Sequence, residues 1–533
     1  MKKFISILLG GMMTLAAALP MVGCSSNQVE DSEETLQIYC WQGGYGTEWC
    51  DALIEDFKNQ DWVKEKYPNL TILTTYNDNM TFAASRLSSG DRNTFDLLFA
   101  LSQFAYYGPS GALLDLTEVV YNSKVPGEDI LFADKMNSSY KISSQYIDVK
   151  NPSEKKYYAV PWAGGMGAIV YNENILNQFD IKVPNTTDEL IAVCETIMEN
   201  KGKDNGKYNK GYSFLQARDA VEYFEYLFPI WWAQYEGSDR YMDFWNGIDN
   251  NRYSVNIFQQ EGRKYALEVF DKILDYEDGY LSPDSFNLEY MASQLSFFNG
   301  NAVFQVNGDW LENEMRDLTK DIENMDTFKT MRTPIISELG VKLGITDAQL
   351  SALVDYVDGV GEKPTFESTT GYSETEVIEA VTEARSIVQS IGASHHAVIP
   401  KNAMGKNVAV DFLRFMATDV AQEAYLEETK GNSLPFTYNV KEKNPVLYNS
   451  ISSIHQSRLD YFYNGLYETY TLPYESAFPL YNYGGLTPFI NMNLYTTLSS
   501  SSNQDTPEDF MEDTIKEWNE DKWTRALKAA GIM

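Results

Sequence analysis

The chain has 533 residues, 44% of them hydrophobic, so it is long enough for two or more domains with sizeable cores. Its 76 acidic residues against 42 basic ones give a formal net charge of −34, which repels phosphate backbones and excludes nucleic acid as an expected partner. Aromatic residues make up 14%, which suits either a cleft that grips flat apolar faces or a tyrosine-rich core.

The amino-terminal residues have the pattern of an export signal. Two lysines precede an apolar run over residues 4–19, and the run stops at Pro20. The sequence MVGC at residues 21–24 resembles the lipobox of bacterial lipoproteins, whose cysteine takes a diacylglyceryl thioether. We predict a signal peptide over residues 1–23, lipidation of Cys24, and a polar, disordered tether over residues 24–35. An ordinary cleaved signal or an uncleaved anchor is the alternative.

The remaining cysteines are Cys40, Cys50 and Cys194. They have no Cys-x-x-Cys spacing and no accompanying histidine pattern of a zinc site, and no glycine-rich phosphate loop occurs. We therefore predict no metal site and no cofactor. Buried thiols are favoured, because free cysteine mostly behaves as a small hydrophobe, and a Cys40–Cys50 disulfide is the alternative.

Strand-like and helix-like segments alternate along the chain. Strands are predicted at the start of residues 36–60, over 67–75 and 95–101, within 156–171, and within 294–310 between two glycine turns. Helices are predicted from Trp49 to Phe57, over 187–200 with Thr186 or Thr187 as the cap, and over 267–276. This alternation predicts an α/β fold with a mainly parallel sheet. Residues 335–389 contain amphipathic helices and are interpreted as a helical insertion attached to the body.

Six segments resemble, in order, parts of the extracellular solute-binding proteins of ABC sugar importers, the maltose-binding-protein-like class. They are IYCWQGGYGTEWCDALIEDFKNQ (38–60), SSGDRNTFDLLF (88–99), YYAVPWAGGMGAIVYNENIL (157–176), VPNTTDELIAVCETI (183–197), FFNGNAVFQVNGDW (297–310), and residues 395–436, which begin HHAVIPK. Thr187 stands where that family usually has tryptophan, and Lys430 also departs from its pattern. Each motif alone is weak, whereas six in the same order make a specific resemblance.

The resemblance implies a two-lobed periplasmic-binding-protein type II-like fold with an extra helical insertion. Lobe 1 would comprise residues 36–160 and 392–440, and lobe 2 residues 163–391 and 441–533. It also implies a non-catalytic monomer, lipid-anchored on the outer face of the cell membrane, that binds a carbohydrate and passes it to the permease subunits of an ABC transporter. Many aromatic residues along a wide cleft favour an oligosaccharide.

Sugar recognition needs aromatic rings that stack on C–H faces and polar groups that pair with hydroxyls. Candidates at loop ends are Trp41, Gln42 and Tyr45 after the first strand, Gln103 after the third, Trp162 at the crossover, and Asp309 and Trp310 in the NGDW turn. Further candidates are Trp231, Trp232, Tyr235, His395 and Tyr483. By resemblance, Trp310 would stack on a sugar ring. For Trp231 and Trp232 the alternative is helix packing, and for His395 a structural histidine.

Two other functions stay open at this stage. A surface glycoside hydrolase would need two carboxylates about 5 to 10 Å apart, which composition alone does not exclude. However, no Gly-x-Ser-x-Gly elbow or other hydrolase signature is visible. The second is an adhesion or sensory lipoprotein that binds sugar without a permease.

Overall fold

The computed structural model describes residues 32–79, 82, 85–87, 93–101, 107–108, 110–148, 151–219, 223, 226–275, 279–390, 395–462, 466, 468–472, 506–529 and 531–533. The predicted signal peptide, Cys24 and most of the predicted tether lie outside these residues, as do Gln103 and Tyr483.

The strands are β1 (Thr35–Trp41), β2 (Thr71–Asn77), β3 (Leu97–Phe99), β4 (Gln145–Asp148), β5 (Asn151–Tyr157), β6 (Val160–Pro161), β7 (Met166–Asn172), β8 (Ile248–Asp249), β9 (Arg252–Tyr253), β10 (Phe304–Asn307), β11 (Phe328–Met331), β12 (Ile387–Ser390), β13 (His396–Val398) and β14 (Tyr470–Leu472). Within the described residues they form two main sheets. The first has the order β2-β1-β3-β13-β6, and the second has the order β10-β7-β12-β14 with β11 also paired to β7. β4 pairs with β5, and β8 with β9.

The helices of the first half are α1 (Glu48–Asn59), α2 (Asp61–Lys66), α3 (Phe132–Lys135), α4 (Ser138–Ser143), α5 (Glu173–Gln178), α6 (Thr187–Glu199), α7 (Leu227–Glu236), α8 (Ser238–Asn246), α9 (Glu261–Leu274) and α10 (Tyr290–Phe298). The later ones are α11 (Leu311–Thr319), α12 (Glu338–Leu343), α13 (Asp347–Val357), α14 (Glu374–Ser386), α15 (Lys406–Phe415), α16 (Asp419–Glu428), α17 (Val440–Lys443), α18 (Pro445–Ser450), α19 (Ser453–Phe462), α20 (Pro507–Glu517) and α21 (Glu520–Ala529). A π-helical turn (Thr117–Tyr121) and two 3₁₀ turns (Val255–Gln259, Pro283–Phe286) complete the set.

The predicted alternation of strands and helices is confirmed, but the expectation of a mainly parallel sheet was wrong. β10, β11 and β12 all pair antiparallel with β7, and β13 pairs antiparallel with β3 and β6, because strands far apart in the sequence enter the sheets in the opposite direction. β1 pairs in parallel with both β2 and β3, and the predicted helix over 187–200 is α6. Its cap is Thr186, whose hydroxyl oxygen accepts from the Glu189 N–H at 3.2 Å. The second strand begins at Thr71 instead of residue 67, because Tyr67 still ends α2 and a turn at residues 68–69 separates the two elements.

The chain passes between the sheets where the site will form. β6 belongs to the first sheet and β7 to the second, so residues 162–165 are one crossing. β12 and β13 likewise lie in different sheets. The first core packs around Leu97, Phe99 and Phe412, and the second around Leu190, Trp231 and Phe270. The molecule is therefore two α/β lobes, while the lobe boundaries predicted above stay predictions.

Residues 335–389 pack against the rest of the second lobe. They contain α12, α13 and α14, as the amphipathic pattern predicts, but Leu339, Leu350 and Val381 are buried in the second core. The segment ends in β12, which pairs with β7 and β14. The apolar faces of these helices complete a core that the rest of the lobe shares, and their origin as an insertion stays a prediction.

Cys40, Cys50 and Cys194 are buried free thiols within the described chain. Burial raises the pKa of the Cys40 thiol well above its usual range and that of Cys194 to about 12. Cys40 and Cys194 therefore behave as small apolar side chains at neutral pH.

Trp231 offers a direct test of the second core. It is fully buried, its indole N–H donates to Pro334 O at 3.1 Å, and its ring meets Phe270 edge-on at 5.5 Å. We expect Trp231→Ala to lower the free energy of unfolding by about 3–5 kcal/mol in urea titrations. Val341→Ala, at a position 66% exposed on α12 of the same lobe, should change it by less than about 0.5 kcal/mol. An unchanged unfolding midpoint for Trp231→Ala would contradict this packing.

Candidate functional site

A cluster of rings lies where the two lobes meet. Its members are Trp41 at the end of β1, Tyr45 on the following loop, Trp162 in the crossing, His395 before β13, and Trp310 after β10. The Tyr45 ring is central, with centroid distances of 5.7 Å to Trp162, 5.3 Å to His395 and 6.2 Å to Trp310. These contacts are edge-to-face, the arrangement that aromatic quadrupoles prefer. Five of the predicted site residues are thus brought together.

A buried ion pair joins the lobes beside these rings. Arg458 on α19 places Nη1 2.8 Å from Asp309 Oδ2, and both side chains are almost completely buried. The Tyr45 hydroxyl donates to Asp309 Oδ1 at 2.8 Å. Arg458 also donates to Asn432 Oδ1 at 2.9 Å and to Gly431 O. Because Tyr45 and Asn432 follow first-lobe elements, this network ties the two lobes together.

The environment of Asp309 sets its chemistry. Burial raises the pKa of Asp309, while Arg458 and the Tyr45 hydroxyl oppose that rise. Burial, followed by the charge of Asp309, raises the pKa of Tyr45 well above its usual range, so Tyr45 stays a neutral donor. A Cβ on Gly165 would lie 2.0 Å from Asp309 Oδ2. Only glycine there lets the crossing chain pass so close to the carboxylate.

The loop after β1 covers the start of α11. The Asn313 amide donates to Gly44 O at 2.6 Å, and a Cβ on Gly44 would lie 2.8 Å from Trp310 Cβ and 3.0 Å from Glu314 Oε1. Trp310 is therefore only 9% exposed. Its ring also approaches Tyr223 at 5.3 Å. A turn position such as that of Trp310 would ordinarily expose the ring to solvent, but here the facing lobe covers it.

Two buried polar atoms next to this loop have no hydrogen-bond partner in the described part of the chain. They are Trp310 Nε1, a donor, and Gln294 Oε1, an acceptor. The amide nitrogen of Gln294 donates to Glu314 Oε2 at 3.1 Å. Glu314 lies one helical turn after Trp310, since its N–H donates to Trp310 O at 2.9 Å. An unpaired buried polar group costs about 1–3 kcal/mol, so these atoms point to a missing partner.

Trp162 is a core residue that borders the cluster. It is fully buried, it stacks on Trp49 with a centroid distance of 5.1 Å and an angle of 13°, and its indole N–H donates to Ala100 O at 3.0 Å. A turn position would ordinarily expose such a ring, but Trp162 is buried because the crossing runs through the first core. His395, 2% exposed, places its ring 4.8 Å from Trp162.

The predicted candidates on α7 lie elsewhere. Trp231 and Trp232 are fully buried in the second core, and the Trp232 indole N–H donates to Gln260 Oε1 at 2.7 Å. Tyr235 donates its hydroxyl proton to Glu261 Oε2 at 3.1 Å. Their bonding is internal to lobe 2, so the structure does not bring them into the ring cluster. Gln42 is exposed on the loop beside Tyr45.

Sequence reasoning missed Arg458, Glu314, Gln294 and Tyr223. Glu314 could have been found from the sequence, because its spacing of four from Trp310 places both residues on one face of a helix. Arg458 carried no local signal, since its partner Asp309 is far away in the sequence. Tyr223 was one tyrosine among 36.

A separate groove of about 870 Å³ lies in lobe 2 between α6 and α13. Its charged lining is already paired within the protein: Arg385 contacts Asp358 at 2.7 Å, and Asn185 Nδ2 donates to Asp355 Oδ1 at 2.8 Å. The ring cluster does not line it, so we place the candidate site at the lobe interface and not in this groove.

Glu314 supplies a pH-dependent test of the interface. Burial raises its pKa to about 7, with donation from Gln294 acting in the opposite direction. The folded wild type therefore keeps the proton up to about pH 7 and loses stability as pH rises from 4.5 to that value. Glu314→Gln should raise the free energy of unfolding at pH 8 by up to about 3 kcal/mol and change it little at pH 5.

The matched control is Asp317→Asn on the same helix, where the carboxylate is 91% exposed. It should give no pH-dependent difference in denaturant titrations. A Glu314→Gln variant that is less stable than the wild type at pH 8 would contradict the burial of this carboxylate.

Two features that other classes of protein possess are absent from the described residues. There, no group of three or more His, Cys, Asp or Glu side chains is arranged to hold a metal ion. In the same residues, no helix has the length and apolarity required to cross a bilayer.

The solved structures that resemble this one have the same fold at low sequence identity. One comes from work on xylan utilization by Caldanaerobius polysaccharolyticus (TM-score 0.57, 13% identity, 91% of this chain and 100% of that chain covered). A second is RafE from Streptococcus pneumoniae without ligand (0.55, 13%, 91% and 98%). A third is the ABC substrate-binding protein Lmo0181 from Listeria monocytogenes in complex with cycloalternan (0.54, 14%, 94% and 99%). At such identities the likeness shows the fold alone.

No curated protein matches the sequence significantly. The family model of the bacterial extracellular solute-binding proteins, in contrast, matches residues 53–449, well over half of the chain. That match spans the elements that carry Asp309, Trp310 and most of the lobe interface. The chain therefore belongs to the family of bacterial extracellular solute-binding proteins.

Proposed function

We propose that the protein binds a carbohydrate, of oligosaccharide size, between its lobes and delivers it to the permease of an ABC transporter. The observation that carries this proposal is the buried Trp310 ring at the lobe interface, whose indole N–H has no partner in the described residues. A sugar offers both missing components, a C–H face for the ring and a hydroxyl oxygen for the N–H. Family membership supports the extracellular role.

Structural relatives support the ligand class. RafE has been solved in complex with raffinose, and Lmo0181 in complex with cycloalternan. In this chain the rings of Trp41, Tyr45 and His395 accompany Trp310, and the Asp309–Arg458 pair holds the lobes in register around them. We assign the pair a positioning role, because the Asp309 carboxylate already accepts a hydrogen bond from Tyr45 and forms an ion pair with Arg458. We propose that a sugar hydroxyl is the missing partner of Gln294 Oε1, since a hydroxyl can donate the hydrogen bond that this oxygen needs and a carbonyl cannot.

We propose that no chemical step accompanies binding. A sugar recovered from the protein after prolonged incubation should be chemically unaltered, whereas release of reducing sugar would favour a glycoside hydrolase. Permease genes beside the gene for this protein would favour transport over permease-independent adhesion. Screening by thermal shift against plant and host oligosaccharides identifies the sugar, since a ligand stabilises only the folded state.

Trp310→Ala tests the binding site. Loss of a stacking anchor typically costs about 2 kcal/mol or more, some thirtyfold in Kd, measured by calorimetry with the sugar identified in the screen. Trp231→Ala is the matched control, because it removes a buried tryptophan from the core of the same lobe. Below its melting temperature it should keep the wild-type Kd. Equal loss of affinity in both variants would mean that Trp310 acts only through packing.

Lipid anchoring is the remaining part of the proposal, and Cys24 lies outside the described residues. It is supported by the MVGC sequence after a short apolar run. We expect Cys24→Ser, expressed in a bacterium that processes lipoproteins, to shift the protein from the membrane fraction to the medium or to leave an uncleaved precursor. Metabolic labelling with a palmitate analogue measures the lipid itself. Unchanged labelling and fractionation of the variant would refute the anchor.

We also propose that the protein is a monomer and that the permease is its protein partner.

A further inference from the structure

Glu314 places a carboxylate at the wall of the proposed sugar site. One of its oxygens accepts from Gln294, and the other lies under Gly44 of the facing lobe. Within the described residues, no lysine, arginine or histidine forms an ion pair with it. Trp310, one turn earlier on the same face, and Gln294 present the two unpartnered polar atoms. A ligand that satisfies those atoms would therefore lie close to this carboxylate.

The cations nearby are committed to other groups. Arg458 is paired with Asp309 and donates to Asn432 and Gly431. Arg316 is exposed and donates to Asn313 Oδ1.

The unpartnered atoms favour the same ligand chemistry. Gln294 Oε1 needs a donor and Trp310 Nε1 needs an acceptor, and a hydroxyl group can provide either. A carboxylate, sulfate or phosphate only accepts, so it would leave Gln294 Oε1 unpaired. It would also face the charge of Glu314 at low dielectric without a counterion.

We propose that Glu314 is a specificity-determining residue that restricts the site to uncharged saccharides and rejects acidic ones. This inference rests on the proposed function, because it assigns a selectivity to the same sugar site. Discrimination arises from an unfavourable interaction with the wrong ligand, in addition to contacts with the right one.

The test compares matched neutral and acidic sugars. Kd is measured by calorimetry for a panel of neutral oligosaccharides, including raffinose, maltotriose and chitotriose, and for counterparts with one primary hydroxyl oxidised to a carboxylate. For each neutral sugar that binds, we expect the wild type to bind the acidic counterpart at least about tenfold more weakly. Glu314→Gln should lower the ratio of the Kd of the acidic sugar to the Kd of its neutral counterpart. Asp317→Asn, exposed on the same helix, should leave this ratio unchanged.

A second measurement uses the wild type alone, so it does not depend on the variant folding. Because the pKa of Glu314 is raised to about 7, the ratio should be smaller at pH 6 than at pH 8, while the sugar carboxylate stays ionised at both. Among the described residues, the other charged or titratable groups on or around α11 are Glu48, Glu312, Arg316, Asp317, Lys320, His455 and the Asp309–Arg458 pair. Repeating both pH values with Glu314→Gln separates their contribution, since only the part due to Glu314 should vanish.

The outcomes distinguish this inference from the proposed function. Acidic sugars bound as tightly as neutral ones, or a ratio that Glu314→Gln leaves unchanged, would overturn the role of Glu314 and leave sugar binding intact. Failure of every sugar to bind or to shift the melting temperature would contradict the proposed function itself.

Discussion

The buried pair of Asp309 and Arg458 is the interaction on which the lobe interface depends. Both charges are removed from water, and such a pair is stable only when its remaining hydrogen-bonding positions are filled. Tyr45, Asn432 and the carbonyl of Gly431 fill several of them, while Arg458 Nε has no partner among the described residues. All three partners come from the opposite lobe or its connecting segment. Separating the lobes therefore takes partners away from a buried charge. Closing the lobes therefore brings these hydrogen-bond partners to the buried ion pair.

Trp162 links the first core to the aromatic cluster at the interface. It packs on Trp49 inside the first core, yet its edge meets Tyr45 and His395 at the interface. The site is thereby built on a rigid core and not on a loose loop, which favours a defined ligand geometry. Trp310 differs, because lobe closure buries it and its polar atom has no partner among the described residues. Trp310 Nε1 and Gln294 Oε1 place two such atoms on the second-lobe side of the interface.

Local signals predicted the fold well and the site in part. The parallel pairing of β1 with β2 and β3, the Thr186 cap and the NGDW turn all follow from short-range patterns, which a sequence contains in full. Burial does not follow from such patterns. The local sequences around Trp162 and Trp231 are similar to those of exposed turn and helix residues, but distant chain segments bury both rings in the cores. The helices of residues 335–389 were predicted but the core that they enter was not, since amphipathic helices show that they need a partner without showing which one. Arg458 was beyond reach, because its ion pair joins segments that only the folded chain brings together.

The central claim, that the lobes close around a sugar at the Asp309–Arg458 network, is tested most directly by a distance between the lobes in solution. Spin labels at Val119→Cys in lobe 1 and Val341→Cys in lobe 2 occupy exposed positions, and Cys40, Cys50 and Cys194 are buried. With Cys24→Ser in the same chain, pulsed electron resonance would report the separation of the two labels with and without the sugar identified by thermal shift. The account predicts a broad, longer distribution without sugar that contracts to the separation of the closed structure when sugar binds. Identical distributions in the two states, with the sugar bound, would contradict it.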